Sequence, residues 1–385
     1  MTMIEKKNKR HGGAALLVVL FIVMAITILA FNFMTRSDIE LACGQNMTLR
    51  TAMDYLAESG LQHARGLILN PQDVSTEYWT GAAAQQLVAD SSDYYDVTVT
   101  RIGNCNYKIS SEAYRQKGAE KIGRSNLTAE LRLDPCIALW TGSSWNSEGR
   151  VTVNGDVYCN GDLGNSAYGY ATINGDAFAR GDITIPVRGS KNAYASAPIT
   201  LPGLDTSQFS SSYYIGTNSY SVQTVTGDLA PPGYYPSESN PAGIYYYNGD
   251  ANLPGDVTIN GMLVVKGNLK VKGTNNVITA VKNFPALLVG GTLTMENAAT
   301  LSVEGLCQVK NDVTVKSMAK NVHIIVNGAL LILNGDIDGL VLSTGSTANI
   351  TAYPDKAAIQ VWLSPGVPTR WSPAGGAFFR SITRQ

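Results

Sequence analysis

Residues 151–163, VTVNGDVYCNGDL, return at 171–183 as ATINGDAFARGDI, an offset of 20 positions that decides the fold of most of the chain. The same rhythm continues in VTINGMLVVKGNLKVKG (257–273), LLVGGTLTM (287–295) and IIVNGALLILNGDI (324–337). Short runs with Val, Ile or Leu on one side alternate with Asn-Gly, Gly-Asp or Gly-Asn corners, which is the pattern of short strands punctuated by turns. A strand this short cannot bury its apolar side alone. Equivalent strands of successive turns can do so by stacking into continuous Val and Ile ladders, so the spacing predicts a parallel β-helix (solenoid) over 136–353. Its corners need positive φ, which Gly and Asn tolerate at low cost. A β-sandwich is the competitor, but it spaces strands about 8 to 12 residues apart, against the six or seven between corners here.

Between 186 and 250 the rhythm fails. Seven of the 15 prolines and nine of the 19 tyrosines fall in this stretch, which predicts a long insertion off one edge of the β-helix. Tyr213, Tyr214, Tyr234, Tyr235, Tyr245, Tyr246 and Tyr247 join an apolar ring to a polar hydroxyl, a chemistry suited to sugar rings or a partner protein. The plainer expectation is that they cover the sheet. The tail 354–385, with Trp362, Trp371, Phe378 and Phe379, is expected as a cap over the open end of the solenoid.

The 385 residues hold 29 basic and 30 acidic side chains, a net charge of −1, so no uniform field steers nucleic acid and none is expected as a partner. Charged residues make up 15%, against about 25% in ordinary soluble domains. With 44% hydrophobic residues, the chain is not extensively disordered. The five cysteines form no CxxC pair and there are three histidines, too few donors for a closed zinc site. No GxSxG, HExxH or GxxxxGK motif occurs, and no ladder gathers both the base and the carboxylates that a pectate-lyase-like β-helix enzyme needs. The expectation is a non-enzymatic protein without a cofactor.

Stacked acidic corners are the candidate ion site. Asp156 over Asp176, and Asp162 over Asp182, would repel at the spacing of neighbouring strands, and a bound Ca2+ would relieve this. Solvated corners need no metal, and the ArgGlyAsp at 180–182 sits in the same register as AsnGlyAsp at 160–162, so it reads as a corner.

Residues 14–34, AALLVVLFIVMAITILAFNFM, are uncharged throughout. Their number matches the roughly 20 helical residues that span a bilayer core. Thirteen of them are Leu, Ile, Val or Phe, among them Leu17, Val18, Phe21, Ile22 and Ile26. Lys6, Lys7, Lys9 and Arg10 precede the run against the single acid Glu5, which holds the start of the chain in the cytoplasm. This predicts a single-pass inner-membrane protein, in contact with membrane lipid, whose part beyond residue 35 is periplasmic or extracellular. A secretory signal would place its cleavage site after the apolar run, whereas Gly12-Gly13 precedes it. Apolar positions continue on one helical face through Ile39, Ala42, Leu49, Met53, Leu56, Ala57, Leu61, Ala64 and Leu67 up to Pro71, so one helix is expected over 14–70.

The basic leader, Gly12-Gly13, the small Ala14, the run ALLVVL (15–20) and a long helix ending in AESGLQHA (57–64) resemble the class III leader and first helix of type IV pilin-like proteins. Within them the likeness is to PilX-type minor pilins and to K-type minor pseudopilins of type II secretion. YDVTVT (95–100), NYKISSE (106–112) and NLTAELRL (126–133) continue it, so roughly 135 residues are covered. The resemblance implies cleavage of the 1–13 leader by a prepilin peptidase after Gly13 or Gly12, methylation of the new amine, and packing among other pilin-like subunits. Most major pilins of the family carry glutamate at the fifth mature position; here that place is Val18, or Leu17 if Gly12 is the site, which favours a filament tip or priming role. The corner spacing also resembles bactofilins, in the repeat alone, and their cytosolic setting conflicts with 14–34. The alternative function is a membrane-anchored surface β-helix that binds or acts on polysaccharide.

Between helix and repeat, 71–135 reads as a small pilin-like adaptor. A short helix is expected at 82–88, followed by strands around Val97, Ile109 and Leu131 in an antiparallel meander with turns at 103–104 and 116–124. Cys105 and Cys136 stand at the start of one strand and the end of another, where they either pair or remain separate half-buried thiols. The fold expected is therefore an α+β pilin-like part followed by an all-β parallel solenoid.

Overall fold

The computed structural model describes residues 12–69, 78–103, 105–167, 169–201, 204–215, 217–231, 233–282, 284–316, 319, 321–338, 348–353, 360–364, 367–370 and 374–384. The leader before Gly12, Pro71, Asn104 and Trp371 lie outside the described residues, as do the side chains of Gly12, Gly13, Ala14 and Trp362. One long N-terminal helix leads into an antiparallel sheet and then a β-solenoid of about ten turns.

Helix α1 (Gly12–Leu69) is unbroken over 58 residues, or about 87 Å at 1.5 Å per residue. Its two halves differ. Every residue from Leu16 to Thr48 is exposed, whereas Met53, Leu56, Ala57, Leu61, Ala64 and Ile68 are buried. The apolar face read from Ile39 onward thus finds a partner only from the half-buried Leu49, and Ile39 stays 58% exposed. Gly60 marks the closest approach to the sheet, since a Cβ there would run into the Ser111 hydroxyl.

The sheet beneath α1 contains β1 (Gly81–Gln85), β2 (Asp93–Gly103), β3 (Asn106–Lys117), β4 (Glu120–Thr141) and β5 (Ala374–Arg384), all antiparallel neighbours in that order. Val97, Val99, Tyr107, Ile109, Leu131 and Leu133 face the helix and form one core with it. The helix expected at 82–88 is replaced by β1, because pairing with Tyr95–Thr98 satisfies its backbone better than an isolated Ala-rich turn would. The polar stretch 116–124 narrows to a tight hairpin, with Lys117 opposite Glu120.

No linker separates sheet from solenoid. Strand β4 is continuous for 22 residues. Its first part pairs antiparallel with β3, and Leu139–Thr141 then pairs in parallel with Val157–Cys159. The 135/136 boundary therefore falls inside one strand.

The solenoid is not stacked in chain order. Along one face the strands run Lys191–Asn192, Ala177–Ala179, Asp156–Cys159, the end of β4, Leu330–Ile332, Cys307–Val309, Leu287–Val289, Met262–Val265, Ile244–Tyr247 and Gln223–Val225. The chain enters in the middle, climbs to one end, crosses outside to the far end and winds back until its last turn sits on its first. Ten strands at about 4.8 Å span roughly 43 Å, and residues 193–222 make that crossing. Inside, Val, Ile and Leu ladders such as Val257, Leu263, Leu287, Val303 and Leu330 fill the core.

The 186–250 stretch is thus corrected from an edge insertion to a strap plus structural turns. Leu204, Phe209 and Tyr213 of the strap pack on outward-facing Val264, Leu288 and Leu331, and the buried Gln308 amide donates to the Leu204 carbonyl at 2.8 Å. The tail is corrected as well. With the last turn stacked on the first, residues after 353 have no open end to close there. Instead Gln360–Ser364 and Val367–Arg370 form a hairpin whose Trp362 pairs with Tyr214 of the strap, and β5 takes the edge of β4, with Phe379 against the helix–sheet core.

Candidate functional site

The four corner aspartates do not gather into an ion site. Asp156 is buried, and its carboxylate accepts the backbone N–H of Cys136 and of Asp176, each at 2.9 Å. Asp176 in turn accepts from the Ser190 N–H at 2.7 Å, and Asp162 from the Asp182 N–H at 2.9 Å. Asp182 accepts from the Tyr194 hydroxyl at 2.7 Å. Asp156, Asp162 and Asp176 therefore each satisfy a backbone N–H of the next turn that the corner leaves out of the ladder, while Asp182 takes a tyrosine hydroxyl. Among the described residues the calcium candidates Asp156, Asp162, Asp176 and Asp182 do not come together as a group of three ligating side chains, and their hydrogen bonds to the next turn answer for their stacking without an ion. Burial, the largest influence, pushes the Asp156 carboxyl above its usual range despite the two donors.

Acids converge elsewhere. Carboxylate oxygens of Asp312, Asp336 and Asp338 lie within 4.8 Å of one another. They sit where the last turn meets the first: Gly142 and Ser143 donate to the Gly335 carbonyl at 3.0 and 3.3 Å. On two faces this seam is closed by strand ladders, Leu330–Ile332 with β4 and Asn349–Ala352 with Arg150–Val153. On the third, Ile337–Asp338 belongs to one sheet and Trp145–Ser147 to another. Burial first, then the charges of Asp338 and Asp312 and a hydrogen bond with Asp338, with Glu148 adding to the field, push Asp336 up to about 7. Three carboxylates are the oxygen donors that a hard divalent cation takes. The pattern was legible, since LNGDID (333–338) repeats the NGD corner and adds a second acid two residues later.

Asp336 has a pH consequence. A raised acid holds its proton in the fold while the unfolded chain releases it, so stability is full below pH about 4 and falls as pH rises toward about 7. Asp338→Asn should lower the Asp336 pKa and raise stability at pH 8 by about 1 kcal/mol, a value reduced because the group is half exposed. Urea unfolding of both proteins at pH 5 and pH 8 checks this; an unchanged pH slope in the variant would refute it.

Of the two readings of the tyrosines, covering the sheet fits three of the seven outright, and a binding surface would have to use the others. Tyr213, Tyr245 and Tyr246 are buried, Tyr214, Tyr234 and Tyr247 are half-buried, and only Tyr235 of the seven is exposed. The Tyr213 hydroxyl donates to Asn240 at 2.8 Å and accepts from the Ala242 N–H at 3.0 Å, and burial pushes it up to about 12. Tyr245 donates to the Tyr235 carbonyl, and its ring meets Tyr234 edge-on at 5.1 Å. Among the cysteines, Cys105 and Cys136 form a disulfide, with Cα atoms 6.5 Å apart. His63, on α1, has its ring nitrogen 3.0 Å from the Tyr95 hydroxyl and so belongs to the helix–sheet core.

The other candidate surface is the first half of α1. It contains a stretch with mean hydropathy 2.8 and no buried residue, long and apolar enough to cross a membrane. Leu17, Val18, Phe21, Ile22 and Ile26 all lie exposed on it.

No family model matches this sequence, and no curated protein matches it. Among solved structures, the chain resembles the competence-associated pilin ComZ from Thermus thermophilus at 12% identity and a TM-score of 0.27, over 88% of this chain and 98% of that one. It also resembles an ice binding protein from an Antarctic biological consortium at 12% identity and a TM-score of 0.31, over 57% of this chain and 87% of that one. TM-scores this low transfer neither fold nor function.

Proposed function

We propose that the chain is a non-enzymatic subunit of a pilus-like assembly, a minor pilin or pseudopilin that displays its solenoid at a filament tip or cell surface. The supporting observation is α1 itself, bare and apolar over its first half and stitched into the outer sheet over its second. One rigid helix thus joins a membrane-spanning length to a folded head without a joint. In this reading the partners are inner-membrane lipid, other pilin-like subunits in a type IV pilus or a type II secretion system, and a prepilin peptidase that cuts after Gly13 or Gly12 and leaves a methylated amine. The head lies outside the cytoplasm, where the disulfide of Cys105 and Cys136 persists. A valine at position 18 leaves no acid for the amine of a subunit beyond, which suits a tip. The glycan-binding alternative is weakened by the burial of its tyrosines.

The mass of the mature protein tests this. In cells with prepilin peptidase the chain should begin at Ala14, or at Gly13, and carry a methyl group; without the enzyme it should begin at Met1 or Thr2. An identical mass in both backgrounds removes the filament reading.

A further inference from the structure

We propose that the free edge of β5 is a docking edge for an extended, acidic strand of a partner protein. The inference is independent of the filament reading, because it concerns the sheet and not α1.

Among the described residues β5 pairs with β4 alone, so one side of an 11-residue strand leaves its N–H and C=O groups without a ladder partner. At about 3.3 Å per residue this edge is roughly 36 Å long. Such edges accept an added strand, with main-chain bonds giving affinity and flanking side chains giving selectivity. Here both flanks are apolar and open. Phe378, opposite Arg132, is 56% exposed on the face away from α1, and Ile382, opposite the buried Ala129, is 55% exposed on the helix side. The helix lies over β2, β3 and β4 and barely reaches β5, which is why Ile382 is uncovered.

The charge pattern selects the occupant. The strand AGGAFFRSITR (374–384) contains two arginines and no acid. Arg384 is held by Asp54 of α1. Arg380 is the extra residue of a bulge, between Phe379 opposite Leu131 and Ser381 opposite Glu130, and it is exposed. A bulge and a positive charge on an edge are devices against self-pairing, since two copies would bring arginine-bearing strands together. An incoming strand with carboxylates meets Arg380 with the opposite sign, and its apolar residues, which share one face when they alternate with the acids, cover Phe378 or Ile382 according to its register.

The test uses the full chain in detergent and a synthetic peptide of about ten residues alternating Val with Glu, against one alternating Val with Lys. The Glu peptide should bind at least about tenfold tighter by fluorescence anisotropy and should slow amide exchange across 374–384. Arg380→Glu should reverse the preference without shifting thermal unfolding. Equal binding of the two peptides, or unchanged exchange in β5 with either, overturns the proposal. So does protection of β5 in a dimer seen by sedimentation without peptide, which would make a second copy the occupant.

Discussion

Replacing Asp156 with alanine should destabilise the protein by about 4 kcal/mol, since two buried N–H groups lose their acceptor at a cost of about 1 to 3 kcal/mol each. The two groups belong to Cys136 and Asp176, so this one side chain bonds three successive levels, from the end of the antiparallel sheet through two solenoid turns. Asp156→Asn should cost less than Asp156→Ala, because its amide oxygen still accepts one of the two N–H groups, which bond different carboxylate oxygens, and the buried charge is gone. The pH response separates the variants. Because burial raises the Asp156 carboxyl, wild-type stability from this group is full below the ordinary aspartate range and declines as pH rises through the folded value. Both variants should lose that component. Chemical denaturation at pH 4 and pH 8 reads it out, and a cost for Asp156→Ala below about 1 kcal/mol would show that water replaces the carboxylate.

Removing the disulfide should have an effect of similar size at the same joint. Cys105 and Cys136 are 31 positions apart, and the loop-entropy relation for that separation gives about 4 kcal/mol. Cys105 lies just before β3, and Cys136 lies in β4, whose end enters the solenoid. The bond therefore fixes the strand that carries the sheet into the stack. The Cys105→Ser, Cys136→Ser double variant, and the wild type in reductant, should unfold at matching lower denaturant concentrations. If reductant left the wild-type midpoint unchanged, the bridge would contribute nothing to the folded state.

How much of this was visible in the sequence depends on the range of the forces involved. Helix α1 follows from local apolar runs and their period, but the point near residue 49 where it starts to pack does not, since the period continues unchanged from Ile39 and only the position of the sheet decides which part of the face is covered. The corners at 154–156, 160–162 and 174–176 announced themselves, though not for the expected reason: Gly161 and Gly175 do not adopt positive φ, and what excludes a side chain there is the turn beneath, since a Cβ would run into Ser144 and into the Gly155 carbonyl respectively. For the tyrosines of 213–247 the sequence left covering and binding both open, since a ring reads the same on a surface as under a strap, and only the structure shows that Tyr213, Tyr245 and Tyr246 are buried. The acid group was half legible: the motif at 333–338 is in the text, but Asp312 and Glu148 come to it from other turns.

By itself the sequence determined that short strands would stack into a solenoid behind a long apolar helix, because strand length, alternation and corner chemistry are local and repeat. Only the tertiary structure decided which turn lies on which. Turns of nearly the same apolar pattern offer nearly equal ladders to one another, so the pattern says that a strand stacks and is silent on its neighbour. The order is fixed by contacts far apart in the chain: the last turn on β4, the strap across the outer face, and β5 on the edge that β4 left open.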